Sequence, residues 1–215
     1  MKKLLFIILV IPIIFLDYGC KNNSTEPSDQ DTSTVIGRKP NLYIYPTKTM
    51  LLSVEINFPK GGKILESIPK YNTSWNVSVE SDGKINGIYD YLFYECEMPD
   101  LTQKEKGWVI KTEKLKEFFS TNLETFGFNH NEINDFIGYW IPILKDYEYY
   151  EIYPQYKSTL DRIVKIEFSV EPDNFFRLFY VIIGRNDRQL ELSEPIMESA
   201  KRENFYSVEW GVIIN

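Results

Sequence analysis

Residues 52–58, Leu-Ser-Val-Glu-Ile-Asn-Phe, alternate apolar and polar side chains without a break. Because successive side chains of a strand point to opposite faces, this spacing predicts a strand with one buried face. The same alternation returns at residues 164–170, Val-Lys-Ile-Glu-Phe-Ser-Val. Residues 175–183 are apolar apart from Arg177, which predicts a central strand that is covered on both faces.

Short segments of the same kind occur along the rest of the chain and raise the expected number of strands to about ten. They are residues 39–46, 64–68, 75–79, 88–96, 147–153 and 206–214. In the first of them, Leu42 and Ile44 are expected on one face, and Tyr43 and Tyr45 on the other. Most of these strands follow one another through short turns, a pattern that favours antiparallel pairing.

The period of the apolar residues changes in the middle of the chain, where residues 113–126 have the spacing of a helix face. Thr112 can cap the start of this helix, and Gly127 can end it. Asn129 followed by Glu132 resembles a capping box at the start of a second helix. The fold class expected is therefore α+β, a mainly antiparallel sheet domain with one inserted helical hairpin.

The N-terminus has the pattern of a secretory signal, with two lysines followed by an apolar run at residues 4–16. As a helix this run would be about 20 Å long, shorter than the roughly 30 Å hydrocarbon core of a bilayer. We therefore predict a cleaved signal peptide at residues 1–19. An uncleaved single-pass anchor is the alternative.

Gly19-Cys20 resembles the lipobox of bacterial lipoproteins, although Asp17 stands where that family has a small apolar residue. The resemblance implies that Cys20 carries a diacylglycerol thioether and that its amine is acylated by a fatty acid such as palmitate. It also implies a cell-envelope protein anchored to a bacterial membrane, the outer membrane in a Gram-negative cell, with its body in the periplasm or at the surface. Residues 20–35 would be the lipidated cysteine and a flexible tether, and residues 36–215 a single α+β domain.

Composition excludes several classes of function. The net charge is −7 and no basic tract occurs, so nucleic acid is not an expected partner. The chain has a single histidine, His130, expected at the exposed start of the second helix, and Cys96 is expected as a buried hydrophobe. No motif predicts a metal site, a cofactor or a catalytic triad.

Carboxylates among aromatic residues are the remaining candidates for a polar site. Glu95 lies in a predicted central strand, and Glu151 and Tyr149 lie in a strand rich in tyrosine. Such mixtures are typical of sugar-binding clefts and glycosidases, but also of solvated strand faces. Arg177 needs a carboxylate partner, for which Glu95 and Glu209 are candidates, and it either fixes strand register or belongs to a site.

Four segments resemble an uncharacterised family of bacterial envelope proteins whose domain opens with a Lys-Pro-x-Ile-Tyr-x-Tyr-Pro signature. The segments are residues 39–46, 91–95, 136–142 and 177–179. Leu42 stands where that family often has Ile. The resemblance implies a domain from about Lys39 to the C-terminus and implies no activity.

The function expected from these observations is a membrane-anchored, non-enzymatic binding or interaction domain in the cell envelope. One alternative is a carboxylate-based hydrolase acting on glycans. Another is a structural envelope protein that binds a second protein. Expected partners are thus the membrane, through Cys20, and a glycan or an envelope protein.

The lipid anchor can be tested directly. Replacing Cys20 by Ser removes the thiol that would carry the diacylglycerol, so cells that express Cys20→Ser should incorporate no labelled fatty acid into the protein. The wild-type chain, labelled in parallel, is the control. Equal labelling of the two proteins would show that Cys20 is not the lipidated residue.

Overall fold

The computed structural model describes residues 33–187 and 191–214, and within them ten strands and three helices. The strands are β1 (Thr34–Tyr45), β2 (Met50–Asn57), β3 (Lys63–Ile68), β4 (Trp75–Val79), β5 (Leu92–Pro99), β6 (Trp108–Lys111), β7 (Tyr149–Tyr156), β8 (Lys165–Phe168), β9 (Asn174–Arg185) and β10 (Tyr206–Ile214). The helices are α1 (Leu115–Thr125), α2 (His130–Trp140) and α3 (Lys157–Leu160). The expected α+β class with many strands is confirmed at this level.

Seven strands form a central sheet in the order β3-β5-β1-β10-β9-β7-β6, and three form a smaller sheet in the order β4-β2-β8. All neighbouring pairs are antiparallel except β9 and β10, which run parallel. A parallel pair needs a long crossover connection, which residues 186–205 provide. The sequence analysis did not anticipate either the parallel pair or the division into two sheets.

The central sheet is covered on both faces. The small sheet packs against one face, where Leu42, Ile44, Val54 and Phe179 belong to a single apolar cluster. The α1 and α2 helices cover the other face, in a second cluster that is rich in aromatic rings. Because both faces are buried, strands such as β9 are apolar at nearly every position, as residues 175–183 indicated.

Strand β1 begins earlier than expected. Val35 is buried and pairs with Met98 of β5, and Thr34 pairs with Pro99. The boundary at residue 36 was therefore too late, because Val35 gains both a ladder partner and an apolar environment. The predicted signal, Cys20 and most of the predicted tether lie outside the described residues. No helix in the described part of the chain is long and apolar enough to cross a membrane.

The two longer helices end and begin largely as the sequence indicated. Asn129 and Glu132 form the predicted capping box, and Gly127 takes a left-handed conformation (φ 87°) after α1. The expected cap at Thr112 is wrong, since its hydroxyl donates instead to the carbonyl oxygen of Tyr147. A 3-10 turn at Thr112–Lys114 precedes α1 and takes the place of a capped helix start.

Strand β5 starts at Leu92 rather than at the expected residue 88. The preceding residues form tight turns in which Gly83, Asn86 and Gly87 all have positive φ angles. Consecutive turns of this kind cannot continue a ladder, so residues 80–90 form a loop beside the sheet. This loop contributes to the site described below.

Close backbone contact at one glycine gives a stability test. A Cβ atom at Gly107 would lie 2.3 Å from the carbonyl oxygen of Ile152, so Gly107→Ala must push β6 away from β7. We expect a loss of about 1–3 kcal/mol in the free energy of unfolding, measured by urea titration. Gly138→Ala is the matched control, because nothing lies within 4 Å of its Cβ on α2, and helix propensity should raise stability by about 0.5–1 kcal/mol. Equal effects of the two changes would contradict the packing of β6.

Candidate functional site

A bulge interrupts β1 at the centre of the large sheet. The pairing of β1 with β10 shifts register between Arg38 and Asn41, and its pairing with β5 shifts between Gly37 and Asn41. Pro40 has no N–H to give to a ladder, and Lys39 adopts a positive φ of 52°. A lysine in this conformation inside a central strand costs free energy, and such strain is concentrated at functional sites.

The bulge places the Lys39 ammonium among three aromatic rings. Its Nζ lies 4.4 Å from the ring centre of Phe93, 5.5 Å from that of Tyr91 and 5.4 Å from that of Tyr139 on α2. Among the described residues, no hydrogen bond or ion pair engages this nitrogen. The ring faces attract the cation but do not satisfy its three N–H donors.

Burial of the Lys39 ammonium lowers its pKa, and the negative charges of Asp135, Glu95 and Glu66 offset only part of that effect. The Glu95 carboxylate also accepts a 3.3 Å hydrogen bond from the backbone N–H of Lys39. Glu95 therefore helps to hold the strained backbone of the bulge. The ammonium is left half-buried and available to a ligand.

A hollow of about 220 Å³ opens beside this ammonium. We call it the Lys39 hollow; it is lined by Lys39, Ile68, Ile88, Tyr89, Asp90, Tyr91 and Phe93. Its apolar wall is exposed at Ile88, 67% of whose surface is accessible. The hollow thus combines one cation with an aromatic and aliphatic surface.

A second, more polar cavity of about 380 Å³ lies between β1, the 80–90 loop and the start of α2. We call it the polar cleft; it is lined by Tyr43, Tyr45, Asp82, Gly83, Lys84, Asp90, Asn129, Asn131, Asn134 and Asp135. Asp90 lines both cavities, so they are neighbours. Asn131, Asn134 and Asp135 share one face of α2, because they are three and four residues apart.

A chain of hydrogen bonds connects β1 to the carboxylate of Asp135. The Tyr43 hydroxyl donates to Asp135 Oδ2 over 2.9 Å, and the Asn41 side-chain amide donates to the Tyr43 oxygen over 3.5 Å. Burial of the Asp135 carboxyl raises its pKa, against the effect of the Tyr43 hydrogen bond, and the nearby charge of Asp90 raises it further. Asp90 itself is paired with Lys84 at 2.6 Å.

A buried carboxylate fixes the start of α2 to the sheet. Glu132 is fully buried and accepts hydrogen bonds from the Tyr45 hydroxyl (2.7 Å) and from both terminal nitrogens of Arg202 (3.0 and 3.1 Å). The Arg202 guanidinium also lies over the rings of Tyr45 and Tyr206, at 5.2 and 4.8 Å. This saturated arrangement makes one wall of the polar cleft rigid.

The four residues proposed from the sequence do not form one site. Glu95 and Glu151 lie on β5 and β7, which are four strand spacings apart, or about 19 Å at the usual spacing. They also face opposite sides of the sheet, because Tyr94, next to Glu95, and Tyr153, two residues after Glu151, both belong to the cluster under the small sheet. A glycosidase pair needs carboxylates no more than about 9.5 Å apart, so this pair cannot act together.

Arg177 is fully buried, and each of its three side-chain nitrogens donates a hydrogen bond. Its Nε donates to Glu209 over 2.6 Å, and one terminal nitrogen donates to Asp161 (2.8 Å) and to the Val164 carbonyl oxygen (2.6 Å). The Glu209 carboxylate also accepts a 2.7 Å hydrogen bond from the Tyr94 hydroxyl. Of the two expected partners, Glu209 is confirmed and Glu95 is not, and the pair lies in register between β9 and β10.

Glu151 and Tyr149 form local contacts on β7. Glu151 is buried and accepts hydrogen bonds from the Tyr153 hydroxyl (3.0 Å) and from Arg185 (2.9 and 3.2 Å). Lys111 lies over the Tyr149 ring at 5.8 Å. Neither residue lines the polar cleft or the Lys39 hollow.

Three further results limit the chemistry. Within the described ranges, no three His, Cys, Asp or Glu side chains are grouped so that they could hold a metal ion. Burial raises the pKa of the Cys96 thiol to about 12, which fits the expected role as a small hydrophobe. His130 is the exposed first residue of α2, as expected.

No protein-family model, curated protein or solved structure matches this chain significantly. The site must therefore be interpreted from its own geometry.

Sequence reasoning missed Lys39, Asp90 and Asp135 as members of one site. Lys39 and Pro40 stood at the start of a predicted strand, where a proline is ordinary; only the observed extension of β1 back to Thr34 places Pro40 within a strand, where it accompanies a bulge. Asp135 was one polar residue on a predicted helix face, and Asp90 was one in a predicted strand. Only the packing of α2 against β1 brings them together.

The role of Arg177 as a structural partner can be tested by unfolding. Arg177→Met leaves the fully buried Glu209 without its cation, so we expect a loss of about 3–5 kcal/mol in the free energy of unfolding. Adding Glu209→Gln should recover part of this loss, because the uncompensated charge is then gone. Lys165→Met, which removes an exposed pair with Glu167, should leave the urea midpoint nearly unchanged. A similar, small effect of Arg177→Met would show that the pair is dispensable.

Proposed function

We propose that this chain is a bacterial envelope lipoprotein, anchored through Cys20, whose domain binds a glycan in the polar cleft and the Lys39 hollow without transforming it. The observation that supports this proposal is the half-buried Lys39 ammonium, which is held on a strained bulge and has no hydrogen-bond acceptor in the described structure. A fold that maintains such a group at a cost in stability has a use for it.

The two cavities offer the groups that a sugar needs. Carboxylates of Asp90 and Asp135 accept hydrogen bonds from hydroxyl groups, and the side-chain amides of Asn131 and Asn134 both donate and accept. The Lys39 ammonium donates, and hydrogen bonds that involve a charged partner are the stronger kind. The Tyr91 ring supplies an apolar surface of the kind on which the C–H face of a pyranose packs.

The α2 helix is central to this proposal. It places Asn131, Asn134 and Asp135 at the cleft. The neighbouring helix α1 packs with it in the aromatic cluster between the helices and the central sheet. We infer that the α1–α2 pair is a helical hairpin inserted into the sheet domain, and that it forms the helical wall of the ligand site. The Glu132–Arg202 contact holds that wall against β1.

A second candidate is a carboxylate-based glycan hydrolase that uses the same cleft. One observation favours it: Asp135 has a raised pKa, whereas Asp90 is paired with a lysine. Two carboxyl groups whose environments differ in this way are typical of an acid and a base in glycoside hydrolysis. We prefer binding, because Tyr43 and Lys84 already engage the two carboxylates.

Thermal shift with a glycan panel tests the binding proposal. The purified full-length protein would be heated with peptidoglycan fragments, other envelope glycans and common sugars. A ligand present at a hundred times its Kd adds about 2.7 kcal/mol, which raises the Tm measurably. For the ligand that is found, Asp135→Asn and Tyr91→Ala should each weaken binding at least about tenfold, or about 1.4 kcal/mol.

The matched control is Glu124→Gln, which removes an exposed carboxylate on α1 away from both cavities. Its affinity should equal that of the wild type. A panel without any shift, or equal losses in all three variants, would contradict the proposal. Release of reducing ends that Asp135→Asn abolishes would favour the hydrolase.

A further inference from the structure

The environment of Lys39 differs from that of other lysines in the chain. Lys84, Lys114 and Lys165 each lie within 3.0 Å of a carboxylate oxygen, and the carboxylate raises the pKa of all three. Lys39 instead sits among three rings, its nitrogen makes no hydrogen bond to any described residue, and its pKa is lowered by burial. A larger fraction of this amine is therefore uncharged near neutral pH, and only the uncharged form is a nucleophile.

The geometry gives this amine space for a reaction partner. The Lys39 hollow holds about 220 Å³, which is enough for a small molecule of a few carbon atoms, and its exposed rim at Ile88 leaves it open to solvent. Asp135 is the carboxylate that acts most strongly on the Lys39 charge, and the adjoining polar cleft contains it. A nucleophile, a carboxyl group and a semi-apolar hollow thus lie side by side.

We propose that the side-chain amine of Lys39 is a covalent capture site, which forms a reversible imine with small aldehydes or ketones that enter the Lys39 hollow. The nitrogen lone pair attacks the carbonyl carbon, and one of the two amine protons passes to the carbonyl oxygen, which gives a neutral carbinolamine. The hydroxyl group then takes a proton from the Asp135 carboxyl and leaves as water while the C=N bond forms, and the second nitrogen proton returns to the Asp135 carboxylate. One water is released for each imine, and hydrolysis reverses the reaction without any oxidant or reductant.

Asp135 is a positioning and proton-supplying group for this step. Its carboxyl has a raised pKa, so it holds a proton in a larger fraction of molecules than an ordinary aspartate. A proton given to the leaving hydroxyl makes water the leaving group.

The inference goes beyond glycan binding and does not require it. It rests on the Lys39 hollow and on the amine itself, whereas the glycan proposal rests on hydroxyl recognition across both cavities. A hydroxyaldehyde would use both, through its carbonyl at Lys39 and its hydroxyl groups at the cleft.

Reductive trapping on the full-length protein tests the inference. The protein would be incubated with glyceraldehyde and cyanoborohydride at neutral pH, which converts any imine into a stable secondary amine, and modified lysines would be quantified over time by peptide mass spectrometry. Because a lowered pKa leaves a larger fraction of Lys39 as the free amine, Lys39 should be labelled faster than exposed lysines. Lys60 and Lys201 serve as internal references. Equal rates at Lys39 and the reference lysines would overturn the proposal, and this result needs no variant.

Two variants sharpen the test. Lys39→Asn, in which Asn suits a positive φ, should abolish the fast phase of labelling and keep the slow phase. Asp135→Asn removes the proton donor and also a charge that raises the pKa of Lys39. Proton supply by Asp135 predicts slower labelling of Lys39 although its free-amine fraction increases, whereas a purely electrostatic role predicts faster labelling. The rate at Lys60 should be unchanged in either case. If Lys39 is labelled faster than the reference lysines and no glycan raises the Tm, the capture site is supported and the glycan proposal is contradicted. If a glycan raises the Tm and Lys39 is labelled no faster than the reference lysines, the glycan proposal is supported and the capture site is contradicted.

Discussion

The structure depends on the fact that its seven-stranded sheet is buried on both faces. A charge placed in such a sheet must find a partner, because an isolated buried ion costs several kcal/mol. The fully or nearly fully buried charges follow this rule: Arg177 pairs with Glu209, Glu132 with Arg202, and Glu151 with Arg185. Each pair also connects two segments of the chain: β9 to β10, α2 to the segment before β10, and β7 to β9. These buried ion pairs therefore help to fix the arrangement of strands and helices.

Lys39 is a different case, because its ammonium is only half-buried. It lies on the same sheet, next to a ladder that is otherwise regular, and its ammonium has ring faces around it but no acceptor among the described residues. The backbone there is strained as well, and Glu95 helps to hold it. An apolar residue in an ordinary strand conformation would avoid both the backbone strain and the desolvation of an ammonium, so stability alone does not account for this lysine.

Local features of the fold could be predicted from the sequence because they depend on local physics. The alternation at residues 52–58, the capping box at Asn129 and Glu132, and the left-handed Gly127 are each decided by a few neighbouring residues. The expected burial of Arg177 indicated that it needs a carboxylate partner, Glu95 and Glu209 on other predicted strands were the candidates, and the structure shows Glu209 as the partner. Strand ends were less reliable, since the turns at residues 80–90 and the pairing of Val35 depend on non-local contacts.

The candidate site could not be predicted from the sequence, because it too depends on non-local contacts. Asp135, Tyr43 and Asp90 come from a helix, a strand and a loop, and nothing in their sequence spacing brings them together. The sequence placed Lys39-Pro40 at the start of a predicted strand, whereas in the structure β1 continues on both sides of this dipeptide at the centre of the sheet. Departures from local rules are expected at functional or strained positions, and here the break, a cation without an acceptor among the described residues and both cavities coincide.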